Sequence, residues 1–322
     1  MFAREQISAA SIESYSWQYA ANSNDNRPMT PRTVALTGAS GTIGSATLGA
    51  LEQAGYRVIS LPRQAFEDPS QLAHLLRSHQ AGAVISCMAS RTGTRADAWR
   101  VDHDAQLALL RAAELAGVQH FVLLSAICLQ RPRLVFQEAK LAFETQLRSS
   151  SLEWTIVRPT AYFKSLSGQL DRVRQGRRFM VFGNGRLTAC KPISDRDLAE
   201  FLVNTLSNPR ARGAILPIGG PGPALTPLDQ AQLMSGILGR PVRVTRLPPG
   251  LLLLVADLLQ MLSLVFRGLE EKAEYARIGY YYATESMLVW NPEQARYDAD
   301  ATPSWGQDTL EQHYRERLRL SA

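Results

Sequence analysis

The sequence contains the stretch Val34-Ala35-Leu36-Thr37-Gly38-Ala39-Ser40-Gly41-Thr42-Ile43-Gly44, an apolar run that passes through three glycines into a helix-forming segment. Glycines let the backbone approach a phosphate closely, and a helix N-terminus offers unpaired N–H groups and a partial positive charge. The run from Gly38 to Gly44 therefore predicts the pyrophosphate site of a dinucleotide cofactor. A tight turn that only packs a helix on a strand is the structural alternative.

Predicted strands and helices alternate from Thr33 to Arg158. This alternation is typical of a parallel sheet covered by helices on both faces. We predict an α/β fold, a Rossmann-type doubly wound parallel sheet with a smaller C-terminal substrate-binding region. The G-x-x-G-x-x-G spacing favours the short-chain or extended dehydrogenase branch. The predicted organisation is a flexible N-terminal extension over residues 1–32, an NADP-binding domain over 33–158, and a substrate-binding region over 159–322 that interleaves with the sheet edge.

The composition narrows the classes of function. The 322 residues carry a formal net charge of +6, with 45% hydrophobic and 20% charged residues, which is ordinary for a globular enzyme. Because the arginines are scattered along the chain, we expect a solvated basic surface that suits an anionic cofactor rather than nucleic acid. The three cysteines form no C-x-x-C pair, so we expect neither a metal site nor a disulfide framework.

The end of the second predicted strand selects the cofactor. An acidic residue there would bond to the ribose 2′-hydroxyl of NAD, but the sequence reads Ser-Leu-Pro-Arg at 60–63. A guanidinium at this place suits the 2′-phosphate of NADP, so Arg63 predicts NADPH; a surface arginine is the alternative. After the third strand, we expect Cys87, Met88 and Ala89 to let the cofactor lie against the backbone.

The catalytic pattern of short-chain dehydrogenases, Tyr-x-x-x-Lys with an upstream serine, is incomplete here. Ser125 follows a strand and Lys140 lies on the next helix, but Phe136 stands where the tyrosine is expected. Because phenylalanine has no proton to donate, the usual acid–base reaction at a carbonyl lacks its donor. We expect Lys140 to hold the nicotinamide ribose. The chain then either transfers hydride to a group other than a carbonyl or only senses the cofactor.

Seven longer stretches carry a more specific signal. They read FVLLSAIC at 121–128, FQEAK at 136–140, IVRPTAYFKS at 156–165, ACKPIS at 189–194, LPIGGPG at 216–222, YYATESM at 281–287 and ATPSWG at 301–306. The chain resembles, through these stretches, the NADPH-dependent, ferredoxin-independent divinyl chlorophyllide 8-vinyl reductases, which are atypical short-chain dehydrogenases. The resemblance covers nearly everything from 34 to 310, and the Phe-x-x-x-Lys departure is itself similar to the family pattern.

The resemblance implies a reaction in chlorophyll or bacteriochlorophyll synthesis. The 8-vinyl group of a magnesium tetrapyrrole, such as divinyl chlorophyllide or protochlorophyllide, would be reduced to ethyl. A conjugated vinyl group can accept hydride at its terminal carbon and spread the charge over the macrocycle, so no oxyanion needs a tyrosine. The proton for the inner carbon has three candidate sources, which are Tyr162, Lys140 and solvent. We accordingly name Lys140, Tyr162 and Ser125 as the candidate catalytic residues.

The remaining candidate residues of the cofactor and substrate sites lie at or beyond the end of the fifth predicted strand. Pro159 and Phe163 complete the predicted cofactor site. Lys164 or Arg158 is expected to meet the propionate carboxylate of the substrate. Apolar residues of the segment Leu251–Phe266, together with aromatic side chains of the C-terminal region, are expected to line the cleft.

The segment Leu251–Phe266 has more than one interpretation. It is short for a membrane span, so it is a buried core helix, a cover over an apolar ligand, or a helix on a membrane surface. Because such substrates partition into membranes, peripheral membrane contact is a candidate role. The polar N-terminal stretch lacks the apolar core of a secretory signal and contains Glu5, Glu13 and Asp25. We therefore expect a bacterial cytoplasm and leave a plastid open; the oligomeric state is not indicated.

Two other functions stay open at this point. A non-catalytic NADP(H)-binding regulator, or an assembly factor for photosynthetic complexes, would share the fold and the loss of tyrosine. A sugar-nucleotide epimerase or an ordinary carbonyl reductase would need the tyrosine that Phe136 replaces. The stretches at 189–194 and 281–287 favour the reductase.

Overall fold

The computed structural model describes residues 32–66, 68–266 and 268–319, apart from the side chains of Arg63, Gln64 and Arg319. The predicted N-terminal extension, residues 1–32, lies outside the described residues except for Arg32. The strands are β1 (Thr33–Thr37), β2 (Arg57–Leu61), β3 (Ala83–Ser86), β4 (His120–Leu124), β5 (Glu153–Pro159), β6 (Phe179–Phe182), β7 (Ala214–Ile218), β8 (Val244–Leu247), β9 (Val289–Asn291) and β10 (Arg296–Asp298). The helices are α1 (Thr42–Gln53), α2 (Pro69–Ser78), α3 (Arg95–Ala98), α4 (Gln106–Ala116), α5 (Val135–Arg148), α6 (Phe163–Leu166), α7 (Leu170–Arg174), α8 (Asp195–Thr205), α9 (Pro227–Leu238), α10 (Gly250–Ser263), α11 (Leu269–Thr284) and α12 (Leu310–Arg319).

Six strands form one parallel sheet in the order β2-β1-β3-β4-β5-β7. The chain first places β2 on one side of β1 and then crosses to the other side for β3 and the later strands. Ligands of such sheets bind outside the carboxyl ends of the strands, where the order reverses. The predicted Rossmann-type doubly wound sheet is confirmed. The reversal puts the ends of β1 and β3 side by side, with Thr37 in register with Ser86.

Apolar layers cover both faces of this sheet. One layer packs α1 and α8 against the strands through buried side chains that include Leu51 and Leu202. The other packs α2, α4 and α5 through side chains that include Leu109 and Phe143. Burial of each such side chain contributes roughly 1.5–3 kcal/mol, so the two layers hold the carboxyl edge of the sheet in place.

Local sequence signals set the ends of several helices. The Ser194 hydroxyl accepts a hydrogen bond from the Asp197 N–H at 2.9 Å and begins α8. Thr226 begins α9, where its N–H and hydroxyl both donate to the Asp229 carboxylate. Gly117 ends α4 with φ +76°, a conformation that glycine adopts without strain. These ends fix where the loops that follow the strands begin.

The helical segment from Arg95 to Ala116 is not a regular α-helix throughout. Between α3 and α4 the chain makes a π-helical segment, Trp99–Ala105, and the helix continues through it. Such segments occur frequently at functional sites. Asp102 lies in this segment and is buried, which the apolar periodicity of the sequence did not predict.

The chain beyond β5 builds a third core and then returns to the sheet. Phe163, Met234 and Tyr314 are buried together among α6, α9 and α12. Two small sheets, β6–β8 and β9–β10, lie in the same region of the chain. Since β7 pairs with β5, the region begun after Pro159 contributes the last strand of the main sheet.

Helices α10 and α11 pack against each other, and α11 lies across loops at the carboxyl edge of the sheet. The Tyr275 hydroxyl donates to the Arg91 carbonyl at 3.3 Å, and the Tyr281 hydroxyl donates to the Cys128 carbonyl at 2.9 Å. These contacts hold α11 over the segments that follow β3 and β4. Among the described residues, no helix combines the length and the apolar character needed to span a bilayer.

Candidate functional site

The glycine turn after β1 has a geometry that only glycine permits at two positions. Gly38 has φ +73°, and a Cβ there would lie 2.6 Å from the Cys87 carbonyl oxygen. A Cβ on Gly44 would lie 2.0 Å from the Gly38 carbonyl oxygen. The turn therefore needs bare backbone against the end of β3 and against its own helix. The remaining turn residues Ala39, Ser40, Thr42 and Ile43 complete the connection from β1 to α1.

The N-terminus of α1 is electropositive and uncapped. Gly41 occupies the N-cap position and offers no side-chain cap, and the first turn holds no acidic residue. The Lys164 ammonium donates to the Thr42 hydroxyl at 2.8 Å, although the two residues are 122 positions apart. Free N–H groups, the helix dipole and this ammonium together form a site for an anion. Lys164, predicted to meet a substrate carboxylate, thus lies at the pyrophosphate turn.

The segment after β3 is held beside the turn by a buried network. The Ser86 hydroxyl donates to the Gln106 side chain at 2.8 Å, and it lies 2.9 Å from the Thr37 hydroxyl. Cys87 donates its N–H to Thr37. Its thiol lies 3.9 Å from the Thr47 hydroxyl, and burial raises the pKa of Cys87 to about 12. Cys87, Met88 and Ala89 therefore border the turn, at the place predicted for the cofactor.

The residue predicted to select NADPH has a described backbone only. Arg63 begins a 3-10 turn, Arg63–Phe66, directly after β2. Its side chain lies outside the described residues, so its pairing with a 2′-phosphate stays a prediction.

Lys140 is anchored to a buried carboxylate. Its ammonium lies 2.9 Å from Asp102, and its side chain is 12% exposed. The other acceptor positions of Asp102 receive the Ser90 hydroxyl at 2.6 Å and the Ser90 N–H at 3.1 Å. Lys140 is therefore not a solvated surface lysine. The π-helical segment brings Asp102 beneath the loop that follows β3 and fixes the lysine there.

Ser125 belongs to a second buried network. Its hydroxyl donates to Glu144 at 2.5 Å, and Glu144 is also paired with the Arg158 guanidinium through two contacts. All three residues are buried. The prediction that Arg158 meets a substrate carboxylate is wrong, because its guanidinium already neutralises Glu144 inside the protein. The only hydroxyl proton of Ser125 points at the same carboxylate, so a catalytic Ser125 would have to break that bond first.

Two phenols and a thiol gather at the carboxyl end of β4. The Tyr282 hydroxyl lies 3.9 Å from the Cys128 sulfur. Burial, with smaller contributions from the Cys87 and Cys128 thiols and Asp195, raises the pKa of Tyr162 above its usual range. Burial of the ring first, and then Cys128 and Tyr162, raise the pKa of Tyr282, although 44% of this residue is exposed. Both phenols are therefore protonated at neutral pH and are weaker acids than an ordinary tyrosine.

Phe136 fills apolar space in the same area. It packs in a cluster with Cys128, Tyr281 and Ile278, and it lies beside Gly93 in the loop after β3. The cleft wall thus has a ring without a hydroxyl where short-chain dehydrogenases carry tyrosine.

Two predicted cofactor residues occupy buried positions. Pro159 is the last residue of β5, in register with Ile218. Phe163 is 3% exposed and packs on His313, with ring centroids 5.4 Å apart. That ring belongs to the core of the C-terminal region, so a contact of Phe163 with the cofactor would come from its backbone and stays a prediction.

The fold and the family model together identify the general class of this protein. Residues 64–209 match the family described as NAD(P)H-binding, and the glycine turn precedes them in the chain. The protein is therefore of the Rossmann-type NAD(P)H-binding class. It is 42% identical over 323 residues to the divinyl chlorophyllide a 8-vinyl-reductase of Zea mays, which covers 91% of this chain and 80% of that protein. The chain belongs to the divinyl chlorophyllide a 8-vinyl-reductase family, as its resemblance predicted.

Two weaker similarities concern an assembly factor and a solved reductase structure. The photosystem II assembly factor Ycf39 of Trieres chinensis is 25% identical over 177 residues, which cover 55% of each chain. The structure of leucoanthocyanidin reductase from Vitis vinifera with NADPH superposes with a TM-score of 0.66 at 15% identity, covering 89% of this chain and 99% of that one. The latter similarity concerns the fold alone.

Sequence reasoning missed three features of the site. Asp102 gave no signal, since one acidic residue on an amphipathic helix is ordinarily solvated. Lys164 lies in a stretch that was singled out, but its contact with Thr42 depends on a crossover of more than a hundred residues. The Glu144 carboxylate beneath Ser125 was also unpredicted. Only the i+4 spacing of Lys140 and Glu144 on α5 places both on one helix face.

Proposed function

We propose that the chain reduces the 8-vinyl group of divinyl chlorophyllide, or of a closely related magnesium tetrapyrrole, to an ethyl group with NADPH. The observation that carries the proposal is the 42% identity to the Zea mays reductase over four-fifths of that protein. The site agrees chemically, since it combines a dinucleotide turn with a cleft that lacks the tyrosine of alcohol and carbonyl chemistry.

The residues present fit a dinucleotide phosphate. The turn leaves no room for a Cβ at Gly38 or Gly44, so the backbone amides at the start of α1 stay accessible to a phosphate. Lys164 supplies a charge-assisted donor at the same place, and Lys140 is held by Asp102 for the nicotinamide ribose. When bound, NADPH supplies the hydride and leaves as NADP⁺.

The chain's own groups account for the rest of the reaction. Hydride addition at the terminal vinyl carbon leaves a negative charge that the macrocycle delocalises, so Phe136 costs the reaction no oxyanion donor. One proton must then reach the inner carbon. Tyr162 is the proposed donor, because its partly buried ring packs in one cluster with Cys87 at the carboxyl edge of the sheet and its hydroxyl carries a proton. Lys140 is a weaker candidate, since its ammonium is already paired with Asp102. Tyr282 stands beside Tyr162 as a route for reprotonation.

The proposed substrate is a large, flat and apolar molecule. Helix α11 contributes tyrosines whose hydroxyls bond to the loops after β3 and β4, and we infer that the substrate lies beside these contacts. The plant relatives are named as chloroplastic, whereas the expectation of a bacterial cytoplasm rests on the N-terminal composition alone.

One assay tests the function. Purified protein is incubated with NADPH and divinyl chlorophyllide, and the Soret band is followed; reduction of the vinyl group shifts it to the blue. Omission of NADPH is the control for photobleaching. Absence of a shift while NADPH binding is retained would contradict the proposal. It would favour the non-catalytic assembly factor, for which the partial similarity to Ycf39 is the specific observation.

A further inference from the structure

The outer side of α10 is the most apolar exposed surface in the described part of the chain. Of the fifteen large hydrophobic side chains that are exposed there, ten belong to α10 and the three residues after it. They are Leu251, Leu253, Leu254, Val255, Leu258, Met261, Leu262, Leu264, Val265 and Phe266. We call them the α10 face. Monomeric proteins rarely leave so large a contiguous patch in water, so the α10 face has a partner.

One side of α10 packs on α11, and the other side faces solvent. The packed side is made by residues such as Ala256, which is fully buried, and Leu252, whose methyl groups approach Gly279. A core helix, the structural interpretation of this segment, is therefore wrong, because most of its leucines are exposed. Their expected contact with the substrate stays a prediction.

Four exposed arginines precede the α10 face. Arg243 directly precedes the strand β8, Arg246 lies within it, and Arg177 and Arg178 directly precede the neighbouring strand β6. Within the described residues, no acidic side chain pairs with any of the four. We call them the arginine cluster. From Gln230 to Ala256 the sequence contains three arginines and no Asp or Glu. The chain thus joins a positively charged strand pair to a helix of exposed leucines.

The spacing between the two features is short. Only Leu247, Pro248 and Pro249 separate Arg246 from α10, so the arginine lies within about 17 Å of Leu251 along an extended chain. Acidic residues occur at the other end, where Glu270 and Glu271 begin α11. Asp257 on α10 lies 3.9 Å from Arg277, which offsets its charge. The attraction for an anionic surface is therefore concentrated at the N-terminal end of α10.

We propose that the α10 face and the arginine cluster dock the protein onto the surface of an anionic lipid bilayer. The 14 residues of α10 rise about 21 Å, less than the roughly 30 Å of a hydrocarbon core, so the helix lies in the interface instead of crossing it. Its leucines enter the acyl boundary, and the arginines meet the headgroup phosphates. A second copy of the chain is the alternative occupant; packed antiparallel, it would bring Glu270 and Glu271 to the arginine cluster, and the variants below distinguish it from a bilayer.

Vesicle flotation tests this docking without substrate or NADPH, so its outcome is independent of the proposed reaction. The full chain is mixed with vesicles of phosphatidylcholine alone, or with about 30% phosphatidylglycerol added to model an anionic leaflet. We expect the protein to float with the anionic vesicles, to bind the neutral ones weakly, and to lose affinity as salt rises. No flotation with anionic vesicles at low salt would overturn the proposal.

Matched variants separate the two contributions. L254Q/L258Q should weaken anionic-vesicle binding about tenfold by removing exposed apolar area, and R243Q/R246Q about 20-fold by removing two charges near the headgroups. The controls are L115Q and R111Q on α4, where both side chains are exposed and distant in sequence from α10. Equal losses in the controls would overturn the proposal. So would a dimer that L254Q/L258Q dissociates in a chain without vesicle affinity, since the α10 face would then bind a second copy.

Discussion

The ammonium of Lys140 lies 2.9 Å from the carboxylate of Asp102, whose side chain has no exposed surface. Ser90 donates its hydroxyl and its N–H to the same carboxylate. Lys140 corresponds to the lysine of the Tyr-x-x-x-Lys pattern of short-chain dehydrogenases. Its position is thus fixed by Asp102, a residue of the π-helical segment. Asp102 acts through Lys140, so it is a positioning residue.

Asp102→Asn should therefore impair the use of the cofactor while retaining the fold. Asparagine still accepts one hydrogen bond but leaves Lys140 without a counter-charge, which costs about 2 kcal/mol in a buried place. We expect KM for NADPH to rise and kcat/KM to fall about 10-fold to 100-fold, with a changed pH profile. Asp104→Asn, two residues away and with a side chain that is 69% exposed, is the control. An unchanged KM and pH profile in Asp102→Asn would refute the positioning role.

This pair also shows how far the sequence alone could lead. The glycine turn, the parallel α/β class and Lys140 followed from local patterns, because apolar periodicity and turn chemistry act over a few residues. The partner of Lys140 did not, since a π-helical segment turns an ordinary helix acid inward. Arg158 was likewise predicted to meet substrate, and only the folded chain shows Glu144 beneath it. Contacts between distant segments are what the sequence pattern could not supply.

Gly44→Ala should abolish tight binding of the cofactor. The new Cβ would lie 2.0 Å from the Gly38 carbonyl oxygen, so the turn must open and the helix must shift. We expect NADPH affinity to fall at least about tenfold, with a loss of stability of about 1–3 kcal/mol from overpacking. Gly49→Ala in the same helix is the control, because no atom lies within 4 Å of its Cβ position. That control should gain up to about 1 kcal/mol from helix propensity. Fluorescence titration with NADPH and thermal melts measure both; equal behaviour of the two variants would contradict the prediction.

Lys164→Gln should weaken the binding of NADPH more than the binding of substrate. The ammonium lies at the start of α1, 2.8 Å from the Thr42 hydroxyl, where it can reach a phosphate. Loss of a charge-assisted bond should raise the dissociation constant about tenfold and reduce its salt dependence. Lys272→Gln, which removes an exposed lysine from the start of α11, should leave the constant unchanged. A raised KM for the tetrapyrrole with unchanged NADPH affinity would instead support the carboxylate contact that the sequence suggested.

Tyr162→Phe should slow the reaction without loosening the cofactor. The substitution removes only the phenolic hydroxyl, and positioned proton donors contribute about 10²-fold to 10⁴-fold to a rate. We expect kcat to fall at least about 100-fold, with NADPH affinity retained. Tyr275→Phe is the control, since its hydroxyl bonds to the Arg91 backbone and its side chain is 48% exposed. Full activity in Tyr162→Phe would eliminate this donor and leave Tyr282, Lys140 or solvent.

The stability of the fold should fall in mild acid because His120 is buried as the neutral imidazole. Its Nε2 lies 2.9 Å from the Thr155 hydroxyl, whose own proton is donated to the Ala211 carbonyl, so Nε2 carries the hydrogen. Burial, and then the charge of Arg212, lower the pKa of His120 to about 3.

Between the ordinary histidine pKa and the lowered pKa of folded His120, this imidazole binds a proton in the unfolded chain but stays neutral in the folded chain. The free energy of unfolding should drop by up to about 1.4 kcal/mol per pH unit as the pH falls from about 6.5 toward 3. Urea unfolding at a series of pH values measures this slope. His120→Gln should reduce the slope by the amount that corresponds to uptake of about one proton on unfolding. His74→Gln, at an exposed position on α2, should leave the slope as it is. If both variants keep the full slope, carboxylates rather than His120 control the acid sensitivity of the fold.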